Sequence, residues 1–346
     1  MFGELITSLG GSGADVDRVA RRVLAMLSPS VSAAQLTTAL QVDSPERQLE
    51  VLLTAPTEFL VAAGMTGVGY GLRHAVRART LVDALTRSLD AELEHGIVML
   101  TPHDELWPRQ LDALDDRVPH ALWVRGDARL PMQYERLIGV LGNGAPSAAA
   151  AQLGHHFAAR LSDREHVVVV TGDPGVADFA RAGVARVASG PLVVLSGGVQ
   201  PAGAGVFATT LADRGALVSA TPTLLPATRS RRELAGRLVS ALSPTAVLIE
   251  AHSRSHSLNV AMDAMGLGRT VWVVPGSTGT AHARGSNALL RSPLSRVALG
   301  PDDVPDLDPS TISMAMLHAK IARAPRPPYP LHSDVTLDNP TVDPTL

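Results

Sequence analysis

Residues 247–291 read VLIEAHSRSHSLNVAMDAMGLGRTVWVVPGSTGTAHARGSNALLR, and their pattern decides the fold. An apolar run closes at Glu250 and a loop of serine, histidine and arginine follows. Helix-like spacing then leads into a second apolar run, 270–274, that stops at Pro275-Gly276. That order predicts strand, loop, helix, strand. Ligands of open parallel sheets sit beyond the carboxyl ends of the strands, where the hydroxyls and glycines of this stretch gather. The stretch reads as half of a phosphate pocket.

The pattern recurs upstream. Residues 137–141 form an apolar run followed by Gly142-Asn143-Gly144-Ala145-Pro146-Ser147 and an alanine-rich helix reaching Leu161. Residues 167–170 make a continuous buried-type strand, then Thr171-Gly172-Asp173-Pro174-Gly175 precedes a helix over 176–187. Strand, glycine loop and helix start is the geometry in which backbone amides and a helix dipole receive a phosphate. Residues 192–195 with the turn Ser196-Gly197-Gly198-Val199-Gln200, and then LADRGALVS over 211–219, continue the series. Further upstream, apolar runs at 97–100 and 121–124 flank Trp107-Pro108, with Trp107 and Trp123 as core aromatics.

After a glycine-rich start at Gly10 to Gly13, residues from about Asp15 to Leu93 show helix-like spacing, broken at Ser28-Pro29 and Ser44-Pro45. Ser44-Pro45-Glu46 has the form of a helix start. Within this region the segment from Ala62 to Gly71, followed by Arg73, Arg77 and Arg79, resembles the hairpin of helix-hairpin-helix modules. Beyond Gly300 the chain turns rich in Pro and Asp, with one helix-like piece over 311–322 and a tail over 325–346 of disordered composition. The expectation is an α/β protein: a small helical domain over 1–95, a Rossmann-like domain with a parallel or mixed sheet over 96–300, and a short helix plus tail over 301–346.

Composition bounds what this fold can do. The chain has 346 residues, enough for one large α/β domain and a smaller one, and 45% are apolar, enough for a substantial core. With a net charge of −3, a polyanion must be met by a local arginine cluster and not by the field of the whole molecule. The densest such cluster is RSRRELAGR, carrying Arg229, Arg231, Arg232 and Arg237. The absence of cysteine excludes disulfides, thiolate metal sites and a cysteine nucleophile. No apolar run reaches the roughly 20 residues that span a bilayer, and the N-terminus lacks a basic segment followed by an apolar one, so a cytoplasmic protein with no membrane partner is expected.

Taken in order, residues 95–300 resemble the DNA-processing A proteins, the DprA/Smf family. The markers begin with Trp107-Pro108 and Leu122-Trp123-Val124-Arg125-Gly126-Asp127. The specific part is the opening stretch. Ile249-Glu250-Ala251, Ser255, Ser257-Leu258-Asn259, Ala261, Gly268-Arg269, Val274-Pro275-Gly276, Gly285 and Leu289-Leu290-Arg291 all fall on the family pattern in register. The chain departs from that pattern at Gly144, where the family has arginine, and at Ala177 and Arg181, where it has an acid and a histidine. Gln200 and Ala220 replace acids, Ala235 and Gly236 replace the first two members of an Arg-Asn-Arg segment, His256 replaces glycine and Ala283 replaces serine.

The resemblance implies a binding protein and not an enzyme. Its expected partners are single-stranded DNA, a RecA-type recombinase during natural transformation, and a second copy in a homodimer. The candidate phosphate contacts are Gly142, Ser147, Gly172, Gly175, Arg237, Ser255, Ser257, Asn259 and Gly276, with Arg229, Arg231 and Arg232 as a compensating basic patch. No cofactor is expected. Neither Ser196 nor Ser255 sits in a Gly-x-Ser-x-Gly elbow, no Walker loop is present, and His252 with His256 lacks a third metal ligand. Two other readings remain. One is a nucleotide or nucleoside-phosphate site, as sensor or phosphoribohydrolase-like protein, built on Pro275-Gly276-Ser277-Thr278-Gly279-Thr280. The other is a paralogue that has lost its ligand.

Overall fold

The computed structural model describes residues 16–27, 31, 33–77, 80–185, 190–199 and 214–306. The helix-like piece at 311–322, the tail, the glycine-rich start, Arg79 and Gln200 lie outside the described residues.

Six helices lead the described chain: α1 Val16–Leu27, α2 Ala33–Leu40, α3 Pro45–Thr54, α4 Thr57–Ala62, α5 Thr66–Arg77 and α6 Thr80–Glu94. α1 buries Val19, Ala20, Val23 and Leu24, the recurrence at three and four residues that gives a helix one apolar face. That face meets Leu49, Leu52 and Leu53 of α3, Leu72 of α5 and Leu81 and Leu85 of α6 in one core. α3 starts as its sequence predicts: Ser44 is the N-cap, its hydroxyl accepting from the Arg47 amide at 3.3 Å, and Pro45 takes the first turn, where no amide is missed.

A sheet follows, built among the described residues from β1 Val98–Leu100, β2 Leu122–Gly126, β3 Leu137–Gly142, β4 Val167–Thr171, β5 Leu192–Val194, β6 Ala216–Ser219, β7 Thr245–Glu250, β8 Thr270–Val273 and β9 Ser295–Val297. Their spatial order is β1-β2-β6-β5-β4-β3-β7-β8-β9. The β1/β2 and β2/β6 pairs are antiparallel and every other pair is parallel. The sheet is mixed, with a parallel body, as the sequence predicts.

Alternate strand residues face opposite sides, so the sheet divides two cores. On one side Leu137, Val169, Leu248 and Val273 meet helix α9 Arg229–Leu242 and helix α10 His256–Gly266 through Leu234, Leu238, Leu258 and Ala261. On the other, Ile138, Val140, Val168 and Val247 meet α7 Ala148–Asp163 and α8 Val176–Val184 through Phe157, Leu161, Val176 and Ala180. Trp107 and Trp123 are both fully buried, one in each core, as expected of them.

The helical segment is bound to the sheet by buried charge. Arg22 of α1 donates to both Glu92 oxygens, at 2.8 and 2.9 Å, and Trp123 Nε1 on β2 donates to the same carboxylate at 2.9 Å. Nearby, Arg18 donates to the Met99 carbonyl at 2.7 Å and pairs with Asp104.

Candidate nucleic-acid interface

Strand order reverses between β3 and β7. From β3 the chain steps outward through β4, β5 and β6; from β7 it steps the other way through β8 and β9. A crevice opens where the two series part, beyond the carboxyl ends of the strands, and such switch points are where open α/β sheets bind ligands. Here the crevice is formed by Gly142 at the end of β3 with Asn143 after it, and by Glu250 at the end of β7 with Ala251 and His252 after it.

The start of α7 is already occupied by an anion. Glu250, 7% exposed, accepts from Asn143 Nδ2 at 3.0 Å, from the Ser147 amide at 3.1 Å and from Ser147 Oγ at 2.7 Å. Ser147 is the N-cap of α7 and its hydroxyl also accepts from the Ala150 amide at 3.2 Å. A negative group is favoured at a helix N-terminus, and the chain supplies its own. Ser147, predicted as a phosphate contact, has its amide and hydroxyl engaged with Glu250. Asn143 completes the tie: its Oδ1 accepts from the His252 amide at 3.0 Å and its Nδ2 also donates to the His282 carbonyl at 3.0 Å.

The predicted glycine contacts have packing reasons of their own. A side chain at Gly142 would meet Val176 Cγ2 at 2.3 Å, and one at Gly172 would meet Leu195 Cδ2 at 2.6 Å. Gly175 has φ +114°, and a Cβ there would lie 2.2 Å from the Asn143 carbonyl oxygen. Gly276 lies outside the crevice, where its amide donates to Asn287 Oδ1 at 3.0 Å and its carbonyl accepts from Asn287 Nδ2 at 2.9 Å. Asp178, the acid displaced by one position from the family pattern, accepts from the Gly175 amide at 3.0 Å and pairs with Arg181. It caps α8.

What remains open is a cleft of about 270 Å³ and a neighbouring groove of about 430 Å³, which share Arg232, His256 and Val260. Gly142, Asp173, Ser255 and Ser257 line the cleft, and the Ser257 hydroxyl donates to the Gly142 carbonyl. Arg229, Arg232, Arg237, Arg254 and Asn259 line the groove, with Glu233 and Asp263 as its acids. Arg229 is 3.3 Å from Glu233 and Arg232 is 3.3 Å from Asp173. The structure thus gathers Gly142, Ser255, Ser257, Asn259, Arg229, Arg232 and Arg237 from the predicted set.

It does not gather Arg231. That side chain is buried, donates to the Pro226 carbonyl at 2.7 Å, and is held by burial below the usual guanidinium range. Two residues along a helix is a rotation of about 200°, so Arg231 points inward when Arg229 points out. Arg254 was missed. It lies in the loop between β7 and α10, and its only sequence signal is an arginine placed directly before the serines of that loop.

Elsewhere the predicted chemistry is absent or differently used. The hairpin arginine Arg73 donates to the Leu52 carbonyl at 2.9 Å and pairs with the Ala55 carbonyl, so it terminates α3. His252 precedes α10 and His256 opens it, so the two do not share a helical face. Among the described residues no group of three or more His, Cys, Asp or Glu side chains is placed to hold a metal ion. Among the same residues no helix is long and apolar enough to cross a membrane.

A mixed sheet with a parallel body, and a switch-point cleft continuing into an arginine-lined groove, define a Rossmann-like protein. The family model for DNA recombination-mediator protein A matches residues 98–306. The putative DNA processing protein DprA of Mycobacterium tuberculosis is 30% identical over 264 residues, covering 72% of this chain and 68% of the relative. Among solved structures, DNA processing protein A from Streptococcus pneumoniae superposes with a TM-score of 0.63 at 17% identity, over 82% of this chain and 96% of that one. The Helicobacter pylori protein, whose structure addresses its single-stranded DNA binding mode, superposes with a TM-score of 0.53 at 19% identity, over 64% and 96%. The chain belongs to the DNA recombination-mediator protein A family. That is a family of recombination mediators, not of enzymes, in agreement with the sequence reading.

Proposed function

We propose that this chain binds single-stranded DNA along the groove between α9 and α10, with the sugar-phosphate backbone passing Arg229, Arg232, Arg237 and Arg254 towards Ser255, Ser257 and Asn259. The observation that carries the reading is the convergence of four arginines from two separate segments on one groove, in a protein whose net charge is −3. Such a site neutralises phosphates without reading bases, so affinity falls with salt and is largely indifferent to sequence. Gly142 contributes the wall of the cleft; Ser147, Gly172, Gly175 and Gly276 act through the fold that holds it. The wider role in this proposal is cytoplasmic: a homodimer that shields incoming strands and passes them to a RecA-type recombinase in natural transformation. The resemblance of the chain to its family supports that role.

The loop at 275–280 gives the nucleoside-phosphate reading no support, because the cleft is lined without it. The test is titration of a labelled oligonucleotide at low salt against the natural protein and a variant with Arg229, Arg232 and Arg237 changed to Ala. Tight binding by the first and weak binding by the second is expected. No binding by the natural protein overturns the proposal.

A further inference from the structure

His256 opens α10 directly after Ser255, the N-cap residue, whose side chain makes no capping bond. Ser255 is 4% exposed and lines the cleft, and its hydroxyl has no hydrogen-bond partner among the described residues. The first amides of a helix also lack partners within it. An unpartnered hydroxyl on a nearly buried side chain that opens on the cleft, beside free amides and a positive dipole end, is a seat for one anionic oxygen group.

The imidazole of His256 stands at this seat. It is half-buried and lines both the cleft and the arginine groove, at their junction. Its room comes from α9: a Cβ at Gly236 would be 2.9 Å from His256 Nε2 and 3.0 Å from Cε1.

The charges facing the ring are Asp173 from the loop after β4, and Arg232 and Glu233 from α9. Arg237, Arg254 and Asp263 line the same groove. Burial pulls the imidazole below its ordinary range, opposed first by the Asp173 carboxylate and reinforced by Arg232; the Arg232 carbonyl and Glu233 also oppose it. Burial thus favours the neutral ring, and a phosphate beside it shifts the balance back towards the charged form.

We propose that His256 makes strand binding proton-linked: a backbone phosphate seated on Ser255 and the first amides of α10 is held by a protonated imidazole, so binding takes up a proton. The inference rests on the single-stranded DNA reading of the groove. The sign follows from linkage. The histidine titrates at higher pH in the complex than in the free protein, so affinity rises as pH falls through the interval between the two and is level below it.

The experiment is an anisotropy titration of a labelled single-stranded oligonucleotide between pH 5.5 and 8.5, at several salt concentrations, on the natural protein, His256→Gln and His256→Gly. The natural protein should tighten roughly tenfold for each unit by which the phosphate raises the imidazole. Its salt slope should steepen by about 0.7 at acid pH, the increment for one further neutralised phosphate on a single strand. Both variants should lose the histidine-dependent part of each trend. Calorimetry of the natural protein in two buffers of different ionisation enthalpy should show proton uptake, and does not depend on a variant folding. Parallel pH trends in all three proteins, or binding without proton uptake, overturn the proposal while leaving the groove intact. Absence of binding by the natural protein at every pH overturns the groove as well.

Discussion

Asn143 and Glu250, 107 residues apart in the chain, meet at 3.0 Å across the switch point of the sheet. The contact ties the carboxyl ends of β3 and β7, and Glu250 closes the start of α7 in the same stroke. Glu250→Gln keeps an acceptor for Asn143 Nδ2 and Ser147 N only by turning its amide NH2 to the Ser147 hydroxyl, which then loses the acceptor it donates to. Losing that bond and the charge at the helix start should lower stability by about 2 kcal/mol. Urea unfolding should show the midpoint falling at an unchanged slope; an unmoved midpoint would mean the carboxylate is not anchoring the crevice.

Gly175 sets the approach of α8 to the same crevice. With φ at +114° and the Asn143 carbonyl 2.2 Å from any Cβ, Gly175→Ala has neither the backbone conformation nor the space. A loss of at least about 2 kcal/mol is expected, read as a lower melting temperature. A melting temperature within a degree of the natural protein's would contradict the geometry.

Two neighbouring arginines should behave oppositely. Arg232→Ala removes a groove charge, so oligonucleotide affinity falls and the salt slope flattens by about 0.7, with stability nearly unchanged. Arg231→Ala leaves DNA affinity nearly unchanged and lowers stability, because Arg231 is buried against the Pro226 carbonyl. Equal losses of affinity in the two variants would show that the phase of α9 is wrong.

His120 predicts the acid side of the stability profile. It is buried, donates from Nε2 to the Val31 carbonyl at 3.1 Å, and is pushed down to about 4, by burial first and then by the charge of Arg21, against the opposing bond to Val31. Unfolded, a histidine binds its proton near pH 6.5. Stability is therefore full above that pH, declines as pH falls between about 6.5 and about 4, and stops declining below, for a total of about 3 kcal/mol. Asp104, held low by the Thr101 bonds and Arg18 against its own burial, acts only below that window. His120→Gln should flatten the profile between pH 4 and 6.5 in chemical unfolding; an unchanged slope would place the proton elsewhere.

The core of the strand-to-helix pattern was legible because it is local. The opening stretch resolves into β7, α10 and β8 within a residue or two of its apolar runs, and Ser44-Pro45 starts a helix as its chemistry dictates. The glycines were legible as places of close approach, but the sequence could not say to what. Gly142 meets Val176 and Gly172 meets Leu195, and these are contacts between distant segments. The inward turn of Arg231 depends on helix phase, which is fixed by Thr228 as N-cap, its hydroxyl 3.3 Å from the Arg231 amide. The occupation of the α7 start by Glu250 depends on a contact over 103 residues, which no local pattern encodes.

The carboxylate of Glu92 has a consequence for how the chain comes apart. It is shared by Arg22 from the first described helix, by Ser88 at 3.1 Å from its own, and by Trp123 from the second strand of the sheet. Separating the helices from the sheet would leave the Arg22–Glu92 pair whole but take the Trp123 indole N–H from its charged acceptor and Arg18 from Met99 and Asp104, and a hydrogen bond to a charged group is worth about 1.5–3 kcal/mol. The two regions should therefore melt in one calorimetric transition. A protease that nicks the backbone near Gly96 should yield two pieces that travel together through a sizing column until denaturant is added.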